Sequence, residues 1–387
     1  MSKITLYGTA ISFYTGRARS YLIKAGLDYR EILPNTLHYR DNVLPKAGGR
    51  RGIPTLETET GEVIRDGAAI IDHYEASNGH RFSPTTPKQR IVSRLFDVIG
   101  AEGLLRPGLH YRWNFPEQNH DWLVFGFGSL IPSVFDREAR SKMTEMAMNG
   151  ANMAGQLWGA VPATFKIIEE LYLELLELLN AHFSDQPYLL GGKPSIGDFG
   201  MIAPFYGHLG RDPKPLSLMQ EKAIRLFRWV ERMNRPELDV GEFEVQDDAY
   251  LSDDNVPDTL IAVLKHLAVD FVPETKSAAD LINAWIDAQD ELPPGTVAAR
   301  SAGQATFEVR GTTISAMAQP YRFYLLKRVQ DEHAALDDAA KAEVEAMLAA
   351  CDMTDVLGIR LSRDIGRENN MEVWCDVTDP AGRFSLA

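Results

Sequence analysis

Two patterns of hydrophobic and polar positions distinguish the first 80 residues from the rest of the chain. In the first 80 residues, short apolar runs such as "KITLY" and "LDYREIL" alternate with a segment of helical period, "TGRARSYLIKAG". The run "IPTLETETGEVIRDG" predicts two strands around a Thr-Gly turn, and "AAIIDHYEASNG" predicts a helix closed by Asn-Gly. The order βαβ, linker, ββα predicts a small mixed sheet with helices packed on it.

From about residue 86 the helical period dominates. Apolar positions recur every three or four residues in "PKQRIVSRLFDVIGAEGLL", "TFKIIEELYLELLELLNAHF" and "LMQEKAIRLFRWVERMN". This pattern predicts a helical domain over 86–240, and "PSIGDFG" carries a capping-box pattern. The acidic stretch 236–258, which contains Pro and Gly, predicts a linker.

A third section, 245–387, follows the predicted linker. The segments "TLIAVLKHLAVDF", "AADLINAWIDAQ" and "AAKAEVEAMLAAC" predict three helices. The segment "ATFEVRGTTISA" predicts a β-hairpin with Gly at its bend. We therefore expect a mainly helical C-terminal extension with one hairpin.

Composition narrows the classes of partner and site. The formal net charge of −14 opposes non-specific binding to nucleic acid or to an anionic membrane, and favours a small-molecule or protein partner. Cys351 and Cys375 are the only cysteines and form no CxxC, so a dithiol site and a cysteine metal site are not expected. His110, His120 and Asp121 lack a partnering motif, so no metal is predicted. With no apolar span and no leader-like start, we expect a cytoplasmic protein.

The stretch "GRRGIPTL" raises a question about Pro54. Proline cannot donate to a strand ladder, so Pro54 is not expected to continue a central strand. Pro54 either opens an edge strand or follows a cis peptide bond that turns the backbone of Ile53 toward a ligand. The flanking pattern favours the second interpretation.

Four segments, in this order and at this spacing, resemble the glutathione transferase family, and its bacterial serine-type members most. The segments are "SFYTGRARSYLIKAGLDY" (12–29), "GIPTL" (52–56), "RDGAAIIDHYE" (65–75) and "YLLGGKPSIGDFG" (188–200). The resemblance covers about 3–240 and leaves out the last third of the chain. It implies an α/β thioredoxin-like N-terminal domain over 1–80 and the family's all-α domain over 86–240.

The resemblance assigns roles in glutathione binding around Pro54. It implies that the backbone of Ile53, before a cis-proline, pairs with the cysteinyl part of glutathione. Arg50 and Arg51 lie near the place where the family holds the glycine carboxylate of glutathione, and their charge suits that role. Arg51 is the predicted ligand residue of the two. The alternative is that both are solvated loop cations.

The same resemblance assigns the γ-glutamyl end of glutathione to the helix start at Asp66. Its carboxylate suits the ammonium of the ligand, and the helix N-terminus suits the carboxylate. The family places Ser or Thr next, whereas this chain has Gly67, so one hydroxyl donor is missing. The alternative is that Asp66 is a simple N-cap.

Ser12 is the catalytic residue that the resemblance implies. It lies five residues before Arg17, where serine-type members keep a hydroxyl that donates to the thiol sulfur of glutathione. A free thiol has a pKa near 8.5, and a hydroxyl donor with a helix N-terminus lowers it. Tyr7, Tyr14 and Thr15 are alternative hydroxyls. Arg17 is expected to tie the first helix to neighbouring structure.

A second substrate is predicted to meet an aromatic segment, "HYRWNFPEQNHDW". Tyr111, Trp113 and Phe115 are predicted to line a pocket for an apolar electrophile, with Trp122 and a methionine-rich stretch nearby. The alternative is that these rings pack the interior.

The sequence thus predicts a glutathione-transferase-like enzyme with glutathione as its cofactor. The thiolate would attack an apolar electrophile by addition, substitution or ether cleavage. The alternative is a non-catalytic ligand-binding or scaffold protein on the same fold. The resemblance also implies a homodimer, although the acidic extension could equally block that contact.

Overall fold

The N-terminal domain is a four-stranded mixed sheet with two helices. The computed structural model describes residues 3–243 and 247–377 of the 387. The strand order is β2-β1-β3-β4, with β1 and β2 parallel and the other pairs antiparallel. This arrangement confirms the predicted α/β thioredoxin-like domain. Its elements are β1 (Ile4–Tyr7), α1 (Phe13–Lys24), β2 (Tyr29–Ile32), β3 (Thr55–Glu57), β4 (Val63–Arg65) and α2 (Gly67–Ser77).

The second domain is helical, as predicted. The predicted capping box is present at its buried helix α8, where the Ser195 amide donates to Asp198 Oδ2 at 2.8 Å. Two helices cross closely beside it, because a Cβ on Gly100 would lie 2.2 Å from the Gly200 carbonyl carbon. The helices are α3 (Pro87–Val98, continued by a π-helical turn, Ile99–Gly103), α4 (Leu105–Trp113), α5 (Pro116–Ser129), α6 (Arg137–Gln156), α7 (Phe165–Asp185), α8 (Ile196–Pro204), α9 (Pro213–Lys222) and α10 (Ile224–Met233).

The extension contains three long helices and two hairpins. The two helices predicted before residue 290 are one helix, α11, which runs through Pro273 because its buried stripe continues on both sides, at Phe271 and Ala278. The hairpin predicted at "ATFEVRGTTISA" is confirmed, with Arg310 and Gly311 both at positive φ in a two-residue turn. Helix α12 and the hairpin β7–β8 were not predicted. The elements are α11 (Asp258–Asp287), β5 (Gln304–Val309), β6 (Thr312–Met317), α12 (Pro320–Ala334), α13 (Asp338–Ala350), β7 (Arg363–Glu368) and β8 (Met371–Val377).

The extension shares its core with the rest of the chain. Leu6 of the sheet, Trp229 of the helical domain and Leu325 of α12 belong to one buried apolar cluster. The β7–β8 turn also closes the sheet edge at β4, because Asn370 accepts from the Arg65 amide at 2.9 Å. The predicted linker is also packed, since the Leu251 amide donates to Leu190 O at 2.9 Å. The extension is therefore placed against the N-terminal domain.

Candidate functional site

A cavity of about 530 Å³ lies where the N-terminal domain, the helical domain and the extension meet. The N-terminal domain contributes Tyr14 and the segment 50–54, and the helical domain contributes Glu102. The extension contributes Arg300 and Tyr321. The closing wall therefore comes from the part of the chain that the family resemblance leaves out.

One end of the cavity is acidic and centres on Asp66. Asp66 lies at the N-cap position of α2 with φ of 86°, but its side chain makes no capping hydrogen bond. Its carboxylate accepts instead from the Tyr321 hydroxyl, with oxygen–oxygen distances of 2.9 and 2.8 Å. The Arg367 guanidinium lies 3.7 Å away. The Asp66 side chain therefore does not act as a simple N-cap of α2.

Gly67 lies close to Arg17 and Tyr14 of α1. A Cβ at Gly67 would lie 3.2 Å from Cδ of Arg17 and 3.6 Å from the carbonyl oxygen of Tyr14. Arg17 is itself buried and forms an ion pair with Asp97 of α3. Arg17 thus ties α1 to the helical domain, as expected, and its side chain would have to shift by a few tenths of an ångström to admit a Cβ at residue 67.

The opposite end of the cavity is basic. The Arg50 guanidinium donates to Ala298 O at 2.9 Å and lies 3.5 Å from Glu372, so it is tied to the extension. The Arg51 side chain is exposed and forms no ion pair among the described residues. Arg300 lies beside it and donates to the Arg51 carbonyl at 2.8 Å. Arg51 and Arg300 are therefore the cations open to a ligand.

The backbone of Ile53 lies between Asp66 and Arg51, because Ile53 follows Arg51 by two residues and precedes Pro54, whose carbonyl accepts from the Asp66 amide at 2.9 Å. The Ile53–Pro54 peptide bond is cis, as the flanking pattern favoured. Within residues 3–243 and 247–377, neither the amide nor the carbonyl of Ile53 makes a hydrogen bond. Ile53 thus leaves a donor and an acceptor beside the cavity, as an extended peptide ligand requires.

Two of the four candidate hydroxyls stand near the cavity at the start of α1. Ser12 caps α1, and its Oγ accepts from the Thr15 amide at 3.2 Å, but its side chain does not line the cavity. Tyr14 does line it, and its hydroxyl donates to Glu102 Oε1 at 3.4 Å. Burial raises the pKa of Tyr14 well above its usual value, so it stays a neutral donor. Tyr7 is committed elsewhere, because its hydroxyl donates to Glu57 at 2.9 Å.

The aromatic residues predicted for the second substrate lie elsewhere. Tyr111 is buried and stacks on Phe115, with ring centroids 5.3 Å apart. Trp113 lines a separate cavity of about 770 Å³ between α5 and α6. None of the three lines the cavity at Asp66, so the predicted pocket for the electrophile at these residues is not part of this cavity. The apolar wall there is formed by Phe13, Leu105, Leu109, Leu157, Trp158 and Met317.

Sequence reasoning missed three polar groups of the site. Tyr321 and Arg300 come from the extension, and nothing local in the sequence links them to Asp66 or Arg51. Glu102 had a signal, since it stands three residues before Leu105 and seven before Leu109, on the apolar face of the chain leading into α4. A single carboxyl on an apolar stripe is a candidate functional group.

Two matches to family models agree with this geometry. Residues 6–82 match the glutathione S-transferase N-terminal domain, and residues 156–232 match the glutathione S-transferase C-terminal domain. These two segments of the chain are therefore similar to the two domains of the glutathione S-transferase family. Asp66 and Ile53 lie inside the first match, whereas Glu102 and Tyr321 lie outside both.

Solved structures of glutathione transferases are also similar to the chain. Glutathione transferase GSTFuA3 from Phanerochaete chrysosporium is 16% identical, over 61% of this chain and 98% of that chain, with a TM-score of 0.39. The glutathione-bound theta-class enzyme from Xanthomonas axonopodis pv. citri is 18% identical, over 60% and 92%, with a TM-score of 0.34. Beta-etherase LigF from Sphingobium sp. strain SYK-6 is 17% identical, over 61% and 97%, with a TM-score of 0.38. A comparison with curated proteins found no match.

Two classes of site are absent from the described part of the chain. Within residues 3–243 and 247–377, no group of three or more His, Cys, Asp or Glu side chains is arranged to hold a metal ion. In the same residues, no helix combines the length and the apolar character needed to cross a bilayer.

Proposed function

We propose that this protein binds glutathione as a substrate in the cavity at Asp66 and uses its thiolate to attack an apolar electrophile. The observation that carries the proposal is the order of groups along the cavity wall. The Asp66 amide donates to the Pro54 carbonyl at 2.9 Å, the free backbone of Ile53 comes next, and Arg51, with Arg300 donating to its carbonyl at 2.8 Å, lies two residues beyond Ile53. Glutathione presents an ammonium, a peptide backbone and a glycine carboxylate in the same order.

The Asp66 carboxylate has acceptor sites left for the ammonium group. A carboxylate offers about four lone-pair sites on its two oxygens, and the Tyr321 hydroxyl has a single proton to donate to them. The amides at the start of α2 suit the γ-glutamyl carboxylate, since a helix N-terminus favours anions. Gly67 keeps its backbone amide available there. The missing family hydroxyl therefore removes one donor and leaves the anion site.

The thiol lies at the start of α1 in this arrangement. A cysteinyl residue paired with Ile53 directs its sulfur toward the hydroxyls of Ser12 and Tyr14. Each unit by which a donor lowers the thiol pKa from about 8.5 corresponds to about 1.4 kcal/mol. Because the Tyr14 hydroxyl gives its one proton to Glu102, whereas Ser12 Oγ only accepts from the Thr15 amide, we expect the Ser12 hydroxyl to be the donor to the thiolate.

The second substrate would meet the apolar wall. Leu105, Leu109 and Trp158 offer a surface without charge beside the thiol position. Such a wall fits an apolar ring, and apolar pockets with few convergent polar groups are the usual form of small-molecule sites. Addition, substitution and ether cleavage all suit this geometry.

The test is thiolate formation and turnover in matched variants. Ultraviolet absorbance of the thiolate, titrated against pH with glutathione bound, gives the thiol pKa in wild type, Ser12→Ala and Tyr14→Phe. Turnover of 1-chloro-2,4-dinitrobenzene is measured in parallel. We expect bound glutathione to have a lowered thiol pKa that rises in at least one variant. Bound glutathione with an unshifted thiol pKa and no turnover would favour the non-catalytic binding protein instead.

A further inference from the structure

The cavity contains a carboxyl group to which the proposed reaction has so far assigned no role. Glu102 is 2% exposed and lies on the π-helical turn between α3 and α4. Its Oε1 accepts from the Tyr14 hydroxyl at 3.4 Å. Its Oε2 is buried and has no hydrogen-bond partner among the described residues. A buried oxygen without a partner is costly, so it requires a ligand or a function.

The charged groups around Glu102 do not neutralise it. Arg322 is the nearest cation, but its guanidinium donates to the Glu102 backbone carbonyl, to Thr275 and to Glu274 rather than to the carboxyl group. Glu274 on α11 and Asp66 on α2 add negative charge, and Tyr14 and Tyr321 are neutral phenols. Burial raises the pKa of Glu102 to about 8; the charge of Arg322 opposes this rise, and Glu274 and Asp66 add to it.

The hydrogen bonds fix where the proton sits. Because Oε1 accepts from Tyr14, the acidic proton of a neutral Glu102 belongs on Oε2. Oε2 is buried and has no acceptor among the described residues, and Glu102 lines the cavity, so a molecule bound there is the group left to accept from this O–H. The same carboxyl group is near enough to Asp66 for that charge to act on it, and it stands three residues before Leu105 of the apolar wall.

From this geometry we infer that Glu102 is a catalytic acid that protonates an oxygen of the second substrate. The inference rests on the proposed function, and it narrows the electrophile to one whose broken bond leaves negative charge on oxygen, such as an epoxide or an aryl ether. Halide-leaving electrophiles need no proton and do not need Glu102.

The step balances without a further reactant. The glutathione thiolate forms a carbon–sulfur bond while the carbon–oxygen bond breaks, and the bonding pair moves to oxygen. That oxygen takes the proton from Oε2, so the products are a thioether, a hydroxyl group and the Glu102 carboxylate. Water then returns a proton to Glu102, and the thiol proton lost earlier enters solvent.

The test compares two electrophiles in Glu102→Gln, which keeps the size of the side chain and removes the acid. The epoxide 1,2-epoxy-3-(4-nitrophenoxy)propane requires a proton on oxygen, whereas 1-chloro-2,4-dinitrobenzene releases chloride. A positioned general acid contributes on the order of a hundredfold or more. We expect epoxide turnover to fall by at least about a hundredfold while chloride release changes less than about threefold. Wild-type epoxide turnover should also decline above pH about 8, and that decline should be absent in the variant.

Glu372→Gln is the matched control. Glu372 is a carboxylate on the same cavity, but Arg65 lies 2.8 Å from it and Arg50 lies 3.5 Å from it. This variant should leave the ratio of the two turnover rates unchanged. An infrared difference spectrum between wild type and Glu102→Gln at pH 7 should show the carbonyl band of a protonated carboxyl group.

Three outcomes would overturn the acid role. One is an equal loss with both electrophiles, which indicates a structural effect. Another is a tenfold or greater weakening of glutathione binding with an unchanged substrate ratio, which places Glu102 in the ammonium subsite. The third is turnover of neither electrophile by wild type. Absence of glutathione binding, by contrast, would refute the proposed function itself.

Discussion

Tyr321→Phe tests whether the extension is fastened to the site through Asp66. The substitution removes one hydroxyl and keeps the ring. The lost hydrogen bond joins that hydroxyl to a carboxylate at 2.8–2.9 Å, and the Asp66 side chain is only 12% exposed. Hydrogen bonds to charged groups contribute about 1.5–3 kcal/mol. Because Arg367 at 3.7 Å compensates only part of the loss, we expect the free energy of unfolding to fall by about 2 kcal/mol.

Urea unfolding of wild type and variants measures this loss. Tyr324→Phe is the control, because Tyr324 stacks beside Tyr321 at 6.0 Å and its hydroxyl has no hydrogen bond among the described residues. That variant should lose less than about 0.5 kcal/mol. A double-mutant cycle with Asp66→Asn should give a coupling free energy of at least about 1 kcal/mol. Equal losses in the two tyrosine variants, or a coupling near zero, would refute the reasoning.

Three further predictions concern the scaffold around the site. Asp97→Asn leaves the buried Arg17 guanidinium without its main anion, so urea unfolding should show a free energy of unfolding lowered by about 3–5 kcal/mol. A loss of less than about 1 kcal/mol would contradict the pairing. His182 is buried and its pKa is lowered to about 4 by burial, so the unfolded chain binds the extra proton between pH about 6.5 and 4. Stability should therefore decline as pH falls through that window, and His182→Gln should flatten the profile. In Gly207→Ala, a Cβ would lie 2.5 Å from Cα of Phe13, so we expect lower thermal stability and a displaced cavity wall; an unchanged melting temperature would contradict this close approach.

Local patterns were sufficient for the elements whose cause is local. The mixed sheet follows from short alternating runs, the Ser195–Asp198 capping box from a four-residue motif, and the β5–β6 turn from the Arg-Gly pair. Each of these signals acts within a few residues, so the sequence displays it directly.

The parts that the sequence did not predict depend on contacts between distant residues. Tyr321 meets Asp66 across 255 positions of the chain, and no periodicity encodes that pairing. Helix α12 mixes charged and apolar residues because it packs on one side against α3 and on another against the site, which blurs its helical stripe. The composition of the aromatic segment at Tyr111 fits a core and a pocket equally well, so composition alone does not decide between these two alternatives.

Binding of glutathione tests the central claim most directly. Calorimetric titration compares glutathione with γ-glutamylcysteine, which lacks the glycine carboxylate, in wild type and Arg51→Ala. The account predicts that wild type binds glutathione more tightly than γ-glutamylcysteine, and that Arg51→Ala removes most of this difference. A wild-type protein that binds neither ligand would contradict the assignment of the cavity. A preference for glutathione that persists in Arg51→Ala would contradict the assignment of its basic end.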